Sequence, residues 1–510
     1  MTRVGIAAAA TSALLLWASS PVAGVEWLAW VALVPAATLA LQPGGGRGAR
    51  LAVPLAYAIY LELLFVPALP FGLGDGQWGD PALPIVIDGT PGPGVWLVAI
   101  PAVGALLYLI RFGQPWGVQV APPRAASILT VLVPASAWTA MEFARLQLDP
   151  GGLWGPVFLS QAGSPGGELG SLGGPLLITF AVVACNYALA LALVGRRIAL
   201  ALAPAAIVLA AFAAGPLFVP DPSEPASLRV AAVQPGYDTA EEDRPELRYF
   251  ELGTHDLAAL DTIRDLGKLT RTAAARGAEV VVWPEGSMFV DPRLEPRVRR
   301  DLTGLAAAAG VTIVAPYFNR ATQHSAVLAV LPNARLTEPR PKQRPMWFLG
   351  ERASSELPRP LAANGVAIGT LLGVDAQDPR IAAQLASRDA DLIASSTHDW
   401  AQLATQQRAM AVLTTQATGT PVVRSDWRYG SAIYDRQGEV VADAGDEKRR
   451  TAITGTIEVA APTPYANVGD RIGWVVVAIA VAALVSGWAA AAAGRSSRLG
   501  GEAAGEAPAA

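Results

Sequence analysis

Apolar residues are concentrated in two parts of this 510-residue chain. Residues 1–219 and 473–494 are rich in Ala, Leu and Val, whereas residues 228–462 have the mixed composition of an ordinary soluble domain. Over the whole chain only 16% of residues are charged, against about a quarter in a typical soluble protein. The fold must therefore place a long apolar part beside a polar one, and the length predicts more than one domain.

Eight apolar stretches approach the roughly 20 residues that a helix needs to cross a bilayer. They cover approximately residues 5–20, 25–42, 51–71, 94–112, 126–146, 174–194, 198–219 and 473–494. Residues 1–24 are also similar to a signal peptide, but the apolar stretches that follow favour a retained helix. The sequence thus predicts four parts: a membrane domain of about seven helices over 1–219, a soluble domain over 220–466, a C-terminal transmembrane helix over 467–494 and a disordered cytoplasmic tail over 495–510.

Basic residues fall in alternate loops between these stretches. One set of loops and termini holds Arg3, Arg47, Arg50, Arg111, Arg124, Arg196, Arg197, Arg495 and Arg498. The opposite set holds Glu26, Asp75, Asp80, Asp88 and a single basic residue, Arg145, at a membrane edge. Because cytoplasmic loops carry an excess of Lys and Arg, the N-terminus is predicted to be cytoplasmic. Seven spans then place the soluble domain on the extracytoplasmic side of a multi-pass plasma-membrane protein.

Two ionisable residues lie in the fifth apolar stretch. Glu142 and Arg145 are three residues apart and therefore share one helical face. Ionisable groups at membrane depth are costly and usually face protein or a water-filled cavity. Two interpretations follow: an ion pair at the helix end, with Arg145 extending to the interface, or a contact with a lipid headgroup. Cys185, in the sixth stretch, is expected to be an inert buried thiol.

Composition excludes several kinds of partner and site. The net charge of −4 argues against nucleic acid as a partner. The single cysteine excludes intramolecular disulfides and cysteine metal clusters. The three histidines are widely spaced and form no zinc motif. Neither a metal nor a cofactor is therefore predicted.

Strands and helices alternate from residue 228 onward, which predicts a layered α/β domain. A buried strand over residues 279–283 runs into Trp283-Pro284-Glu285. A strand that delivers a carboxylate at its C-terminal end is a common way for an α/β domain to present an acid or a base. The simpler alternative is that Glu285 caps the next helix.

Two further segments of this domain are candidates for chemistry. Lys342 precedes an aromatic run that contains Trp347 and Phe348 and ends near Glu351. A lysine beside a carboxylate can stabilise an oxyanion, although Lys342 could also be an ordinary loop lysine. The aromatic run is interpreted as a lid, a membrane-dipping loop or a strand packed on the core. A strand over residues 365–374 is followed by Asp375, and a nucleophile would lie at its end.

Together these motifs resemble apolipoprotein N-acyltransferase, a bacterial membrane enzyme with eight spans and an extracytoplasmic nitrilase-like domain. The resemblance covers nearly the whole chain and rests on Trp138, Glu142 and Arg145, on Val230–Gln234, on Trp283-Pro284-Glu285, on Gly350-Glu351 and on the segment that begins at Asp391. It implies an α-β-β-α sandwich of the carbon–nitrogen hydrolase superfamily. In the family, a cysteine thiolate takes an acyl chain from a phospholipid and passes it to the amine of a diacylglyceryl-cysteine lipoprotein. The resemblance assigns Glu285 as the base, Lys342 as the oxyanion-stabilising group and Glu351 as the acidic residue that ends the lysine loop.

The chain departs from the family at the nucleophile. The cysteine position falls on Gly373, while Asp375 keeps the acid that follows it. One hypothesis is a catalytically impaired member, or pseudoenzyme, that binds phospholipid or lipoprotein or scaffolds a membrane glycosyltransferase. The alternative is an active acyltransferase or amidase that uses a hydroxyl or water activated by Glu285. The candidate hydroxyls are those of Thr370, Ser395, Ser396 and Thr397, while the adjacent pair His398 and Asp399 is interpreted as part of a loop.

Overall fold

The structure is a computed structural model. It describes most of a helical region before residue 196 and most of an α/β region after residue 225. The described residues are 2–42, 51–65, 125–147, 154–195, 226–236, 258–346, 351–399, 401–445 and 449–469, with a few short pieces within 49–91 and 471–482. The predicted spans 94–112 and 198–219, most of 473–494, the tail, and the candidate residues Trp347 and Phe348 lie outside the described residues.

The first region is helical and shares one core. Its helices are α1 Arg3–Ser19, α2 Val34–Leu41, α3 Ala52–Phe65, α4 Ala125–Arg145, α5 Gly170–Gly173 and α6 Pro175–Gly195, with 3₁₀ helices at Glu26–Trp30, Val157–Gln161 and Gly167–Leu169 and a short antiparallel pair, β1 Val86–Ile87 and β2 Thr90–Pro91. Leu16, Tyr57, Trp138 and Ile178 are among the buried side chains that join these helices. We call this part the helical region.

One of the described helices, α6, is long and apolar enough to cross a membrane, and three shorter apolar helices accompany it. The described residues therefore do not confirm a multi-span membrane domain or a multi-pass location. The predicted span 25–42 is divided into the 3₁₀ helix Glu26–Trp30, a turn, and α2, whose first turn contains Pro35. The missing N–H of proline is tolerated in the first turn of a helix but not in the middle of one, which explains this division.

The second region contains two sheets. The seven strands of the first are β3 Ser227–Gln234, β4 Val280–Val282, β5 Phe289–Val290, β6 Thr312–Asn319, β7 His324–Val330, β8 Arg340–Pro341 and β15 Thr451–Glu458. Their order is β15-β3-β4-β6-β7-β8, with β5 also paired to β6. The six strands of the second are β9 Leu361–Ala363, β10 Val366–Leu372, β11 Leu392–Ser396, β12 Val422–Ser425, β13 Ala432–Tyr434 and β14 Val440–Asp443, in the order β14-β13-β12-β11-β10-β9.

The two sheets pack face to face and helices cover their outer faces. Val282, Ile368 and Val423 belong to the apolar layer between the sheets. The helices α7 Ala258–Ala275 and α8 Glu295–Ala309 cover the first sheet. The helices α9 Pro379–Ala386 and α10 Ala401–Thr418 cover the second, and α11 Pro464–Val468 follows β15. This is the α-β-β-α sandwich that the resemblance predicts.

Parallel strands bring the turns that follow β4, β10 and β11 to one end of the sandwich. β3, β4 and β6 are mutually parallel, as are β10, β11 and β12. The ends of β4 and β11 meet there, because the Glu285 N–H donates to the Thr397 carbonyl at 3.3 Å. The helical region lies against the same end, since Val374, Met410 and Leu413 belong to its core. Functional side chains of this domain are expected where such strand ends converge.

Candidate active site

Glu285 is held at the end of β4 by contacts on both sides. Val280–Val282 is completely buried, and the Trp283 ring that follows donates from Nε1 to Thr270 Oγ1 at 3.0 Å. The Trp427 ring donates from Nε1 to the Glu285 carbonyl at 2.5 Å. Gly286 has a φ of +67°, a left-handed conformation that allows the chain to turn away at once. Glu285 as a whole residue is 5% exposed, and its side chain points into the protein.

Lys342 joins two carboxylates beneath the surface. Its Nζ lies 2.9 Å from Glu285 Oε1 and 2.9 Å from Glu351 Oε2. Glu351 also accepts hydrogen bonds from Ser325 Oγ at 2.5 Å and from the Met346 N–H at 2.6 Å. One ammonium group therefore serves two buried carboxylates, and the Glu351 carboxylate has two further hydrogen bonds, as buried charges require.

The charges at this site alter the proton affinity of the carboxylates. Burial raises the pKa of Glu285; the positive charge of Lys342 opposes this shift and the negative charge of Glu351 adds to it. Burial also raises the pKa of Asp375, to about 7, although the charge of Lys342 and two backbone donors act in the opposite direction. Carboxyls whose pKa values are raised by burial and by specific charged neighbours are typical of functional sites.

Gly373 lies directly against the Glu285 carboxylate. β10 ends at Leu372, and Gly373 starts a 3₁₀ helix with a φ of +54°. A Cβ atom placed on Gly373 would lie 2.4 Å from both carboxylate oxygens of Glu285. The predicted strand over residues 365–374 therefore ends earlier than expected, because the left-handed conformation of Gly373 turns the chain.

Asp375 connects this turn to the lysine loop. Its carboxylate accepts hydrogen bonds from the Gln343 N–H at 3.0 Å and from the Arg344 N–H at 2.7 Å. The structure thus brings together five of the residues that the sequence singles out: Glu285, Lys342, Glu351, Gly373 and Asp375. Their arrangement offers a carboxylate base and an ammonium beside a backbone position that has no side chain.

The second region of the chain matches a family of known proteins. Residues 229–466 match the family model described as carbon-nitrogen hydrolase. They form a carbon-nitrogen hydrolase domain. No curated protein matches the chain.

Solved structures similar to the chain each cover a little under half of it. The carbon-nitrogen hydrolase from Helicobacter pylori G27 shares 13% identity over 46% of this chain and 89% of its own, with a TM-score of 0.37. The NitFhit protein of C. elegans shares 14% identity over 48% of this chain and 63% of its own, with a TM-score of 0.37. An amidase from Nesterenkonia sp. shares 16% identity over 47% of this chain and 92% of its own, with a TM-score of 0.35.

Glu142 and Arg145 lie in the helical region, apart from the five residues of the carbon-nitrogen hydrolase domain. Glu142 accepts hydrogen bonds from Trp138 Nε1 at 3.1 Å, the Val157 N–H at 2.8 Å and Thr179 Oγ1 at 2.6 Å. Arg145 donates to the Tyr57 hydroxyl and, at 2.5 Å, to the Trp154 carbonyl. Both side chains are buried and bonded to protein groups that join α3, α4, α6 and the segment after residue 154.

The candidate hydroxyls of the carbon-nitrogen hydrolase domain differ in their contacts. The Thr397 hydroxyl donates a hydrogen bond to Asp426 Oδ2 at 3.0 Å. Asp399 accepts a hydrogen bond from Arg424. Ser395 Oγ and Ser396 Oγ are buried without a hydrogen-bond partner among the described residues. Ser396 pairs in register with Leu372, the residue before Gly373. No group of His, Cys, Asp and Glu suited to a metal ion is found in the described part of the chain.

Three contributors to the site were missed in the sequence: Ser325, Trp427 and the backbone of Gln343. Each contacts a site residue that is distant in the chain, with separations of 26, 142 and 32 residues. The Trp427 and Ser325 contacts depend on how β7, β12 and the strand ends come together. Local sequence patterns carry no signal for such pairings.

Proposed function

We propose that this chain is a membrane-associated relative of apolipoprotein N-acyltransferase that binds a phospholipid or a lipoprotein without forming an acyl-enzyme. The observation that carries the proposal is the contact between Gly373 and the Glu285 carboxylate. The base and its lysine are in hydrogen-bond contact, but the position beside the base offers only a backbone hydrogen. Covalent acyl transfer needs a nucleophile within reach of a base, and this position supplies none.

Exposed apolar side chains support association with a membrane. Large hydrophobic residues with more than half of their surface exposed include Val4, Leu14, Trp27, Leu193 and Trp474. These five lie in the helical region or the C-terminal apolar stretch, while two further ones, Leu357 and Val440, lie in the carbon-nitrogen hydrolase domain. Soluble monomers rarely expose many such side chains near one another, whereas lipid-facing helices do. Together with the arginine pattern of the loops, this favours a plasma-membrane protein whose carbon-nitrogen hydrolase domain faces the extracytoplasmic side.

The missing thiolate also favours binding over transfer. Without a thiolate, the residual catalysis expected from such a site is several orders of magnitude below that of a complete one. The ligands that fit the resemblance are membrane phospholipid and lipoproteins. Acting as a scaffold for a membrane glycosyltransferase is a further role that requires no acyl transfer.

The proposal is tested on the purified full-length chain with a phospholipid that is radiolabelled in its acyl chain. We expect the labelled lipid to co-purify with the chain, and we expect no label to survive denaturation. A covalent label that neutral hydroxylamine releases would overturn the proposal, because that sensitivity marks a thioester. Failure to retain any lipid or lipopeptide would overturn the binding function as well.

The free hydroxyls at the end of β11 favour one second candidate. Ser396 lies on the strand next to Gly373, and its buried hydroxyl has no partner among the described residues. An active acyltransferase or amidase would use this hydroxyl, or a water, with Glu285 as the base. This candidate predicts a covalent label that resists neutral hydroxylamine and disappears in Ser396→Ala but not in the adjacent Ser395→Ala. Absence of label in the parent chain excludes the acyl-serine route.

A further inference from the structure

A buried ionic cluster lies between the candidate site and the helical region. Arg344, two residues after Lys342, donates from Nε to Asp378 Oδ2 at 2.7 Å. Arg380 donates to both carboxylate oxygens of Asp378, each at 2.7 Å. Burial alone would raise the pKa of Asp378, but the hydrogen bonds and charges of Arg380 and Arg344 hold it below its ordinary value. Asp378 is therefore a fixed negative charge that holds two guanidinium groups side by side.

Both guanidinium groups also reach the end of helix α4. Arg344 donates to the Leu146 carbonyl, and Arg380 donates to the same carbonyl at 3.0 Å. Arg380 bonds in addition to Gln147 Oε1 at 2.6 Å. The last carbonyls of a helix have no partner within the helix and carry a partial negative charge, so cations are favoured there. The end of α4 is thus capped by residues that belong to the other region of the chain.

The capped carbonyl follows a residue that organises the helical region. Arg145, adjacent to Leu146, bonds to Tyr57 on α3 and to the Trp154 carbonyl. A change in the packing of α3 against α4 would therefore move the Leu146 carbonyl. On the other side, the backbone of Arg344 bonds to Asp375. The contacts form a continuous chain from Tyr57 through Leu146 and Arg344 to Asp375, next to Gly373.

We propose that Arg344 and Arg380 are positioning residues that couple the helical region to the site. They hold the lysine loop at the end of α4, so that the packing of α3 and α4 sets how firmly Asp375 binds the loop amides. The coupling itself is independent of the proposed function. Only the identity of the ligand, a phospholipid bound by the helical region, rests on the proposed function. Such a ligand would act on Lys342 and Glu285 through these two arginines.

The test measures hydrogen exchange of the peptide that contains residues 343–346 in the full-length, detergent-solubilised protein. Tyr57→Phe removes the hydroxyl that Arg145 contacts, and Arg344→Gln removes the link to α4. We expect each single substitution to increase exchange of this peptide several-fold, and we expect the double variant to exchange no faster than Arg344→Gln alone. When the effects of two substitutions on the free energy of exchange are not additive, the two positions are coupled.

Controls separate coupling from general loosening. Arg408→Gln removes an ion pair with Asp443 in the same domain, outside the cluster, and should leave the 343–346 peptide unchanged. Hydrogen exchange of the β3 peptide, residues 228–233, reports global stability. If Arg344→Gln raises the exchange of this peptide, the test uses Arg344→Lys instead, because lysine keeps the positive charge. Additive effects of the two substitutions, or no effect of Tyr57→Phe on the loop, would overturn the inference. Loss of phospholipid binding with intact coupling would overturn the proposed function instead.

Discussion

The carboxylate of Glu285 lies against the Cα of Gly373, in the space that a side chain at position 373 would enter. Both carboxylate oxygens would be 2.4 Å from a Cβ atom at this position. The carboxylate is also held by Lys342 at 2.9 Å, so it cannot withdraw without losing an ionic hydrogen bond. A side chain at position 373 can therefore be accommodated only if the Glu285 carboxylate moves.

Gly373→Ala should destabilise the domain more than a glycine substitution of similar backbone conformation. Gly310 provides the comparison, because its φ is +68° and no atom lies within 4 Å of the Cβ that alanine would add. Both variants lose about 1–2 kcal/mol to the left-handed conformation. Gly373→Ala should lose a further 1–3 kcal/mol or so from overpacking against Glu285. Chemical denaturation of the two variants measures this difference, and equal losses would show that Glu285 moves aside freely.

Lys342→Met should be strongly destabilising. It leaves the buried carboxylates of Glu285 and Glu351 without their shared cation, and breaking a buried ion pair in this way costs about 3–5 kcal/mol. Lys268→Met is the matched control, because the Lys268–Asp265 pair is exposed, with side chains 62% and 42% accessible. An exposed pair contributes at most about 1 kcal/mol. Unfolding free energies that are the same for both variants would contradict a structural role for the lysine.

Site features that depend on neighbouring residues in the sequence could be predicted, whereas those that depend on contacts between distant segments could not. Trp283-Pro284-Glu285 was found because a buried apolar strand followed by proline is a local pattern. The end of β10 was placed two residues too late, since nothing local indicates that Gly373 turns the chain with a positive φ. The bond of Asp375 to the loop amides joins segments about 30 residues apart, and no periodicity encodes it.

The fold shows the same limit. The sandwich could be predicted because strands and helices alternate and because the resemblance covers them. β15 was not predicted, although it pairs with β3 along eight residues, because its Thr- and Gly-containing sequence has weak apolar alternation and its partner lies more than 200 residues away. In the helical region, hydropathy alone merged the 3₁₀ helix Glu26–Trp30 and α2 into one span, since a sliding average does not register the turn between them.

Asp375 should make stability depend on pH. Burial raises its pKa from 3.8 to about 7 in the folded chain, so between roughly pH 4 and pH 7 the folded state keeps a proton that the unfolded state has lost. Stability must then fall as the pH rises through this window, and it reaches its lowest level above pH 7. At about 1.4 kcal/mol per pH unit the contribution is on the order of 4 kcal/mol. The measurement is the difference in unfolding free energy between the parent chain and Asp375→Asn, recorded from pH 4 to pH 8. A difference that stays constant across this range would contradict the raised pKa.

Gly373→Cys tests whether Glu285 is placed to act as a base. The thiolate is the reactive form of cysteine, and the Glu285 carboxylate is the nearest group that can accept the thiol proton. We expect iodoacetamide to label the introduced thiol faster than Cys185, with the two sites distinguished by peptide mapping. Adding Glu285→Gln should slow that labelling by about tenfold or more, since general bases contribute on the order of 10²–10⁴ in rate. Gly310→Cys is the control, because its thiol lies at the end of α8 and its labelling should not respond to Glu285→Gln. An unreactive thiol at position 373, or equal slowing at both positions, would mean that the carboxylate does not act on this position.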